Sequence, residues 1–190
     1  MRKVVFSMTL AALFALVAGP AITQEKPQAP APKPAGGPAQ EALAAWNSIG
    51  RKLIAMAEDF PEDKYDFKPK PEVRTFAEQL LHVAGTNYVL LSVIKGSQIG
   101  PGTEDPPRQN YKTKADVVAL LKKSVEDGVA LINEKGDAAM GKPVKFPYGN
   151  LMVSESYCIM EAAEHSGEHY GQLVVYYRLN GIVPPASRQR

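Results

Sequence analysis

The sequence predicts an all-α protein, a four-helix bundle whose helices are joined by long crossover loops. Four segments carry apolar residues at steps of three and four, the spacing that places side chains on one face of a helix. No run of alternating apolar and polar residues predicts a strand. The connections between the segments are rich in glycine and proline and are long enough to cross a bundle.

Residues 1–21 have the pattern of a secretory signal peptide. Arg2 and Lys3 precede an apolar stretch that ends in small residues. A membrane anchor is the alternative, but the apolar run is short for spanning and no basic stop follows it. Residues 22–39, rich in proline and alanine, predict a flexible linker before a folded domain over residues 40–190. We therefore expect an exported protein, periplasmic or secreted, without stable membrane insertion after signal cleavage.

The charge balance argues against a nucleic-acid-binding protein, and the cysteine count excludes an intramolecular disulfide. The chain has 22 basic and 20 acidic residues, and removal of Arg2 and Lys3 with the signal leaves 20 of each. A neutral chain has no electrostatic footprint for nucleic acid. Cys158 is the only cysteine, so no intramolecular disulfide can form, and we expect it to be a small buried thiol.

The first helix is predicted over residues 40–57, where Trp46 and Leu53 belong to a single apolar stripe. Prolines exclude a regular helix from the next segment, residues 60–74. Its aromatic residues Tyr65 and Phe67 can instead pack as a hydrophobic lid on the bundle.

Two helix starts carry capping signals. Thr75 followed three residues later by Glu78 forms a capping box, and the second helix is predicted to run from there to about Ile94. The third helix is predicted to begin at Thr113 and to end near Glu134. Between them lies an irregular crossover that is dense in glycine and proline.

The last helix, predicted over residues 152–179, carries two of the three histidines in the chain. His165 and His169 are four residues apart, so they lie on one helix face about 6 Å apart along the axis and can reach the same metal ion. His82 in the second helix can complete the site. Three imidazole ligands with an open position are typical of catalytic rather than structural zinc.

The residues around His165 and His169 indicate that this face of the helix binds a ligand. The helix face centred on His165 combines apolar residues with a polar patch of Glu161, His169 and Gln172. Burying such a patch is costly unless its groups are paired or bound. The alternative is that the histidines lie on the surface or bond to backbone carbonyls in the core.

The stretches RTFAEQLLHVAGTNYVLL and HSGEHYGQLVVYYRLNGIVPP resemble the DinB-like family, also called the DinB/YfiT superfamily. The resemblance implies a four-helix bundle of DinB/YfiT type with a divalent metal ion, commonly zinc or nickel. His82 matches the family's ligand in the second helix, and His165 and His169 match the pair in the last. The matching positions that follow the pair are Gly171, Gln172, Gly181, Pro184 and Pro185.

The resemblance also implies possible chemistry. Characterised relatives include thiol-dependent enzymes such as mycothiol-dependent maleylpyruvate isomerase and bacillithiol transferases. Because thiol cofactors belong mainly to the cytoplasm, export makes thiol transfer a less favoured activity here. The fold also hosts members without known activity, and a fold does not specify a function.

Three further residues are candidates for roles beside the ligands. Glu161 precedes His165 by one turn and Glu78 precedes His82 by one turn, so each is a candidate catalytic proton acceptor or an orienting partner for a histidine. Gln172 is a candidate for hydrogen bonding to a bound ligand. The alternative for the carboxylates is ordinary charge on a helix surface.

The sequence thus favours an exported metal-dependent hydrolase or transferase that acts on a small-molecule substrate. A non-catalytic bundle that binds metal or a small molecule, in stress handling for example, is the alternative, and a bundle whose histidines bind nothing is a third. The last helix is apolar on a second face as well, through Ile159, Met160 and Tyr177 among others. Loops or a second subunit must cover that face, so a homodimer is one expectation.

Overall fold

The structure, a computed structural model, describes residues 36–188. Its four helices are α1 (Pro38–Asp59), α2 (Phe76–Lys95), α3 (Lys114–Ala139) and α4 (Glu155–Leu179). Two short strands, β1 (Pro143–Lys145) and β2 (Met152–Ser154), precede α4, and single 3-10 turns lie at Glu62–Lys64, Arg108–Asn110 and Pro185–Ser187. The predicted four-helix bundle is confirmed. The predicted signal peptide and the linker up to residue 35 lie outside the described residues.

The predicted capping signals are confirmed at α2 and α3. Thr75 Oγ1 accepts a hydrogen bond from the main-chain N–H of Glu78 at 3.1 Å, and Glu78 Oε2 accepts one from the N–H of Thr75 at 2.7 Å. Thr113 and Asp116 form the same reciprocal pair at the start of α3. Each box satisfies main-chain donors that the first helical turn leaves without partners, so both helix starts are specified locally.

The strand pair was not predicted, and it shifts the start of α4. β1 and β2 pair antiparallel with Val144 opposite Val153, and α4 begins at Glu155 after the N-cap Ser154 rather than near residue 152. Strands of three residues are too short to show an alternating pattern. Their pairing depends on residues across the hairpin rather than on either sequence segment alone.

The helices pack so that α1 and α2 each lie against both α3 and α4. The long segment after α1 closes one end of the bundle, as predicted. Tyr65 is fully buried and Phe67 is partly buried in a cluster centred on Phe76. Phe60 stacks on Phe76 with ring centroids 3.9 Å apart, and Tyr177 of α4 donates a hydrogen bond to the main-chain oxygen of Met56 at 2.7 Å.

The apolar core consists of two clusters that differ in their position along α4. One contains Leu173 and Tyr177, and the other contains Cys158 and Ala162. The histidine pair lies between them in the sequence of α4. Cys158 is fully buried, which raises the pKa of its thiol to about 11 and confirms the expected structural role.

None of the helices in residues 36–188 combines the length and the apolar character that crossing a membrane requires.

Candidate metal centre

The bundle brings the three histidines together, one from α2 and two from α4. A ligand nitrogen from each of His82, His165 and His169 lies within 4.8 Å of the other two. His82 and His169 are buried with exposed fractions of 7% and 6%, and His165 is half-buried. Among the described residues, no other group of three or more histidine, cysteine or carboxylate side chains converges in this way.

The Nε2 atoms are spaced as ligands of a single ion would be. His165 Nε2 lies 3.1 Å from His82 Nε2 and 3.1 Å from His169 Nε2. Nitrogens bonded at about 2.0–2.1 Å to one tetrahedral ion are separated by about 3.4 Å, so small movements would accommodate an ion. An all-imidazole donor set suits borderline divalent metals.

Asp105 sets the tautomer of His82. Its Oδ1 lies 2.9 Å from His82 Nδ1, and a carboxylate can only accept, so Nδ1 carries the proton. The Nε2 atom of a neutral His82 therefore carries a lone pair, which is directed at the other histidines. Carboxylates that accept from the outer nitrogen of a metal ligand are a common feature of histidine metal sites.

A chain of hydrogen bonds sets the tautomer of His169. The main-chain oxygen of Arg74 can only accept, so the Tyr176 hydroxyl at 2.5 Å donates to it. The Tyr176 oxygen then accepts from Gln79 Nε2 at 3.4 Å, which directs Gln79 Oε1 towards His169 Nδ1 at 2.6 Å. His169 Nδ1 must therefore donate to Gln79 Oε1, and the Nε2 atom of His169 also carries a lone pair that faces the site.

This tautomer assignment favours a cation at the centre. Two lone pairs, on His82 and His169, face the single Nε2 of His165, which can donate a proton to one of them only. A metal ion accepts all three lone pairs at once. His165 Nδ1 is buried and has no hydrogen-bond partner among the described residues, so His165 lacks the kind of outer partner that orients the other two.

The histidines on α4 resist protonation. Burial, together with the charges of neighbouring histidines and of Arg74, lowers the pKa of His165 and of His169 to about 4. Both rings are therefore neutral at physiological pH, which is the form that binds metal.

His82 also lines a cleft of about 400 Å³ at the surface. The charged residues around it are Glu72, Arg74, Glu78, Asp105 and Arg108. The cleft therefore offers a polar approach to the α2 side of the histidine cluster. Its size is within the range of small-molecule sites.

The other predicted site residues lie on the two helices that carry the histidines, Glu78 on α2 and both Glu161 and Gln172 on α4. Glu78 lines the cleft, and one of its oxygens is held by the helix cap. Glu161 is half-buried on α4 and hydrogen-bonds Tyr157, which raises the pKa of that phenol. Gln172 is exposed, so the polar patch predicted around His165 is not buried throughout.

Sequence reasoning missed Asp105, Gln79 and Arg74. Gln79 precedes His82 by three residues on the same helix, and that spacing was an available signal. Asp105 follows α2 in an irregular crossover, where no periodicity can locate a side chain. Tyr176 of α4 was not singled out either, and it contributes its hydroxyl to the chain of hydrogen bonds.

Replacing Asp105 with asparagine is expected to weaken zinc binding by about 10- to 100-fold. The substitution keeps the shape of the side chain but removes the charge that orients His82 and increases its basicity. Competition against a chromogenic chelator measures the affinity. Asp66→Asn is the matched control, since Asp66 is an exposed carboxylate paired with Arg108. Equal affinities of the unmutated protein and Asp105→Asn would contradict the role of Asp105.

Residues 49–173 match the DinB superfamily. No curated protein matches the sequence.

Several solved structures share the fold. A DinB-like protein from Bacillus cereus is 18% identical with a TM-score of 0.66, and the alignment covers 77% of this chain and 95% of that one. The DinB-like protein YjoA from Bacillus subtilis is 22% identical with a TM-score of 0.62, over 79% of this chain and 99% of that one. YfiT from Bacillus subtilis, described as a probable metal-dependent hydrolase with an unusual four-helix bundle topology, is 12% identical with a TM-score of 0.56. That alignment covers 82% of this chain and 94% of YfiT.

Proposed function

The chain belongs to the DinB superfamily, and we propose that it is an exported metal-dependent hydrolase or transferase that binds zinc or nickel through His82, His165 and His169. This proposal rests on the convergence of three Nε2 atoms. On His82 and His169, a hydrogen bond from Nδ1 leaves Nε2 unprotonated and able to bind a metal ion. The description of YfiT, which has the same fold, as a probable metal-dependent hydrolase adds support. The adjoining cleft suits a small-molecule substrate.

Three further side chains have proposed roles in this chemistry. When bound, a divalent ion at such a site supplies Lewis-acid activation of water or of a substrate oxygen. Glu78 lines the cleft beside His82, and the helix cap leaves its second oxygen to accept a proton. Glu161 is the candidate proton acceptor on the α4 side, and Gln172 is the candidate there for hydrogen bonding to a ligand.

Export and dimerisation complete the proposal. Support for export comes from the pattern of residues 1–21, which lie outside the described residues. Support for a homodimer comes from the outer face of α4, where Tyr157, Met160, Val175 and Leu179 are exposed. The predicted second apolar face is partly covered within the chain itself, since Ile159 and Tyr177 are buried.

Elemental analysis of the purified protein tests the metal site. We expect about one zinc or nickel ion per chain and its loss in His82→Ala and His169→Ala, because each variant removes one of three ligands. Glu164→Ala, an exposed position on α4, is the matched control and should retain the ion. Absence of stoichiometric metal from the unmutated protein after loading would contradict the proposed site.

Catalysis is tested with the same variants. The loaded protein would be screened with ester, amide, phosphate and thiol substrates, and we expect turnover in the unmutated protein and in Glu164→Ala only. Activity that survives loss of His169 would count against metal-dependent chemistry. Metal binding without turnover of any of these classes would favour a binding protein.

A further inference from the structure

Arg74 is held in a fixed position at the edge of the histidine cluster. Its main-chain oxygen accepts the Tyr176 hydroxyl at 2.5 Å. Its Nη2 donates to Asp105 Oδ1 at 3.0 Å, the same oxygen that accepts from His82 at 2.9 Å. The guanidinium is therefore separated from a ligand ring by a single carboxylate.

Most of the hydrogen-bonding capacity of Arg74 is free for a ligand. A guanidinium has five N–H donors, and among the described residues only Asp105 takes one from Arg74. The side chain is 40% exposed and lines the cleft. Its free donors can thus be reached from the space beside His82.

The second arginine of the cleft is already engaged. Arg108 donates to both carboxylate oxygens of Asp66 and to the main-chain oxygen of Tyr111. Its side chain is 20% exposed, half the value of the Arg74 side chain. Arg74 is therefore the cation of the cleft that can accept a new anionic partner.

The charge of the cleft restricts what that partner can be. Glu72, Glu78 and Asp105 line the same space, so its carboxylates outnumber its two arginines. A doubly charged anion such as a phosphate monoester would be repelled by these groups. A carboxylate has one charge and a planar pair of oxygens that matches the fork of a guanidinium.

We propose that Arg74 binds the carboxylate of a substrate whose reacting group lies at the three histidines, so that the site acts on small organic acids or their derivatives. This inference rests on the proposed metal site and specifies its substrate class. Arg74 has a second effect in this arrangement, since it also holds Asp105 beside His82.

Ligand titration of the cobalt-loaded protein tests the inference without requiring turnover. Visible absorption of the bound cobalt reports the binding of acetohydroxamate and of the monohydroxamates of malonic, succinic and glutaric acids, whose carboxylates reach different distances. We expect at least one of the carboxylate-bearing compounds to bind about tenfold or more tightly than acetohydroxamate, as a charge-assisted hydrogen bond predicts. Arg74→Gln should reduce this preference to about twofold or less while the protein stays cobalt-loaded.

Arg108→Gln provides the matched control, because it removes the same charge from the same cleft. It should keep the preference, since Arg108 is engaged by Asp66. Equal binding of all four compounds by the unmutated protein, or a preference that persists in Arg74→Gln, would overturn the inference alone. A protein that binds no cobalt would contradict the proposed metal site itself, together with this inference.

Discussion

Replacing Gly85 with alanine is expected to lower both the stability of the bundle and its affinity for metal. Gly85 lies on α2 one turn after His82, and the crossover loop lies directly against it. A Cβ at this position would overlap the main-chain oxygens of Thr103 and Glu104. The loop must move away, and Asp105, the next residue, would leave His82.

The expected loss of stability is about 1–3 kcal/mol, typical of overpacking, although alanine's higher helix propensity offsets part of it. Zinc affinity should fall by about tenfold or more, as for loss of an outer partner. Urea unfolding measures the first quantity and chelator competition the second. If Gly85 acts through Asp105, adding Asp105→Asn to Gly85→Ala should cause little further loss of affinity.

Gly171→Ala is the control for a helical glycine, because nothing lies within 4 Å of a Cβ built there. It should leave metal affinity unchanged and raise stability by about 0.5–1 kcal/mol. If Gly85→Ala changed neither the stability nor the metal affinity, this result would contradict the idea that packing of the loop against Gly85 positions Asp105.

The metal-free protein is expected to lose stability as the pH falls from about 6.5 towards 4. The folded state lowers the pKa of His165 and His169 from 6.5 to about 4, chiefly through burial. Within this window the unfolded chain binds protons that the folded chain does not, so protonation favours unfolding. Above pH 6.5 both states are neutral at these residues, and below about pH 4 the difference no longer grows.

Each histidine can contribute up to about 1.4 kcal/mol per pH unit in that window. Urea unfolding in the presence of a chelator, between pH 7.5 and 5, measures the slope. A His165→Asn/His169→Gln double variant should show a flatter dependence, which separates the histidines from carboxylates that titrate at lower pH. If the slope were the same in both proteins, the pH dependence of stability could not be attributed to His165 and His169.

The helices could be predicted because their signals are local. Trp46 and Leu53 form one stripe of α1, and the capping boxes at Thr75 and Thr113 need only residues three positions apart. Two of the three candidate metal ligands could be predicted for the same reason, since the spacing of His165 and His169 places them on one face of α4. The strand pair could not be predicted because three residues carry no periodic pattern.

The sequence by itself determined the four helices, the histidine pair with His82 as the candidate third member, and the family resemblance that matches all three. Only the tertiary structure decided how these histidines are oriented. Asp105 lies 23 residues from His82, and Gln79 lies 90 residues from His169, so neither contact follows from helix geometry. A tautomer depends on which acceptor faces the outer ring nitrogen, and in this protein loop packing at Gly85 and the crossing of α2 with α4 bring those acceptors into place.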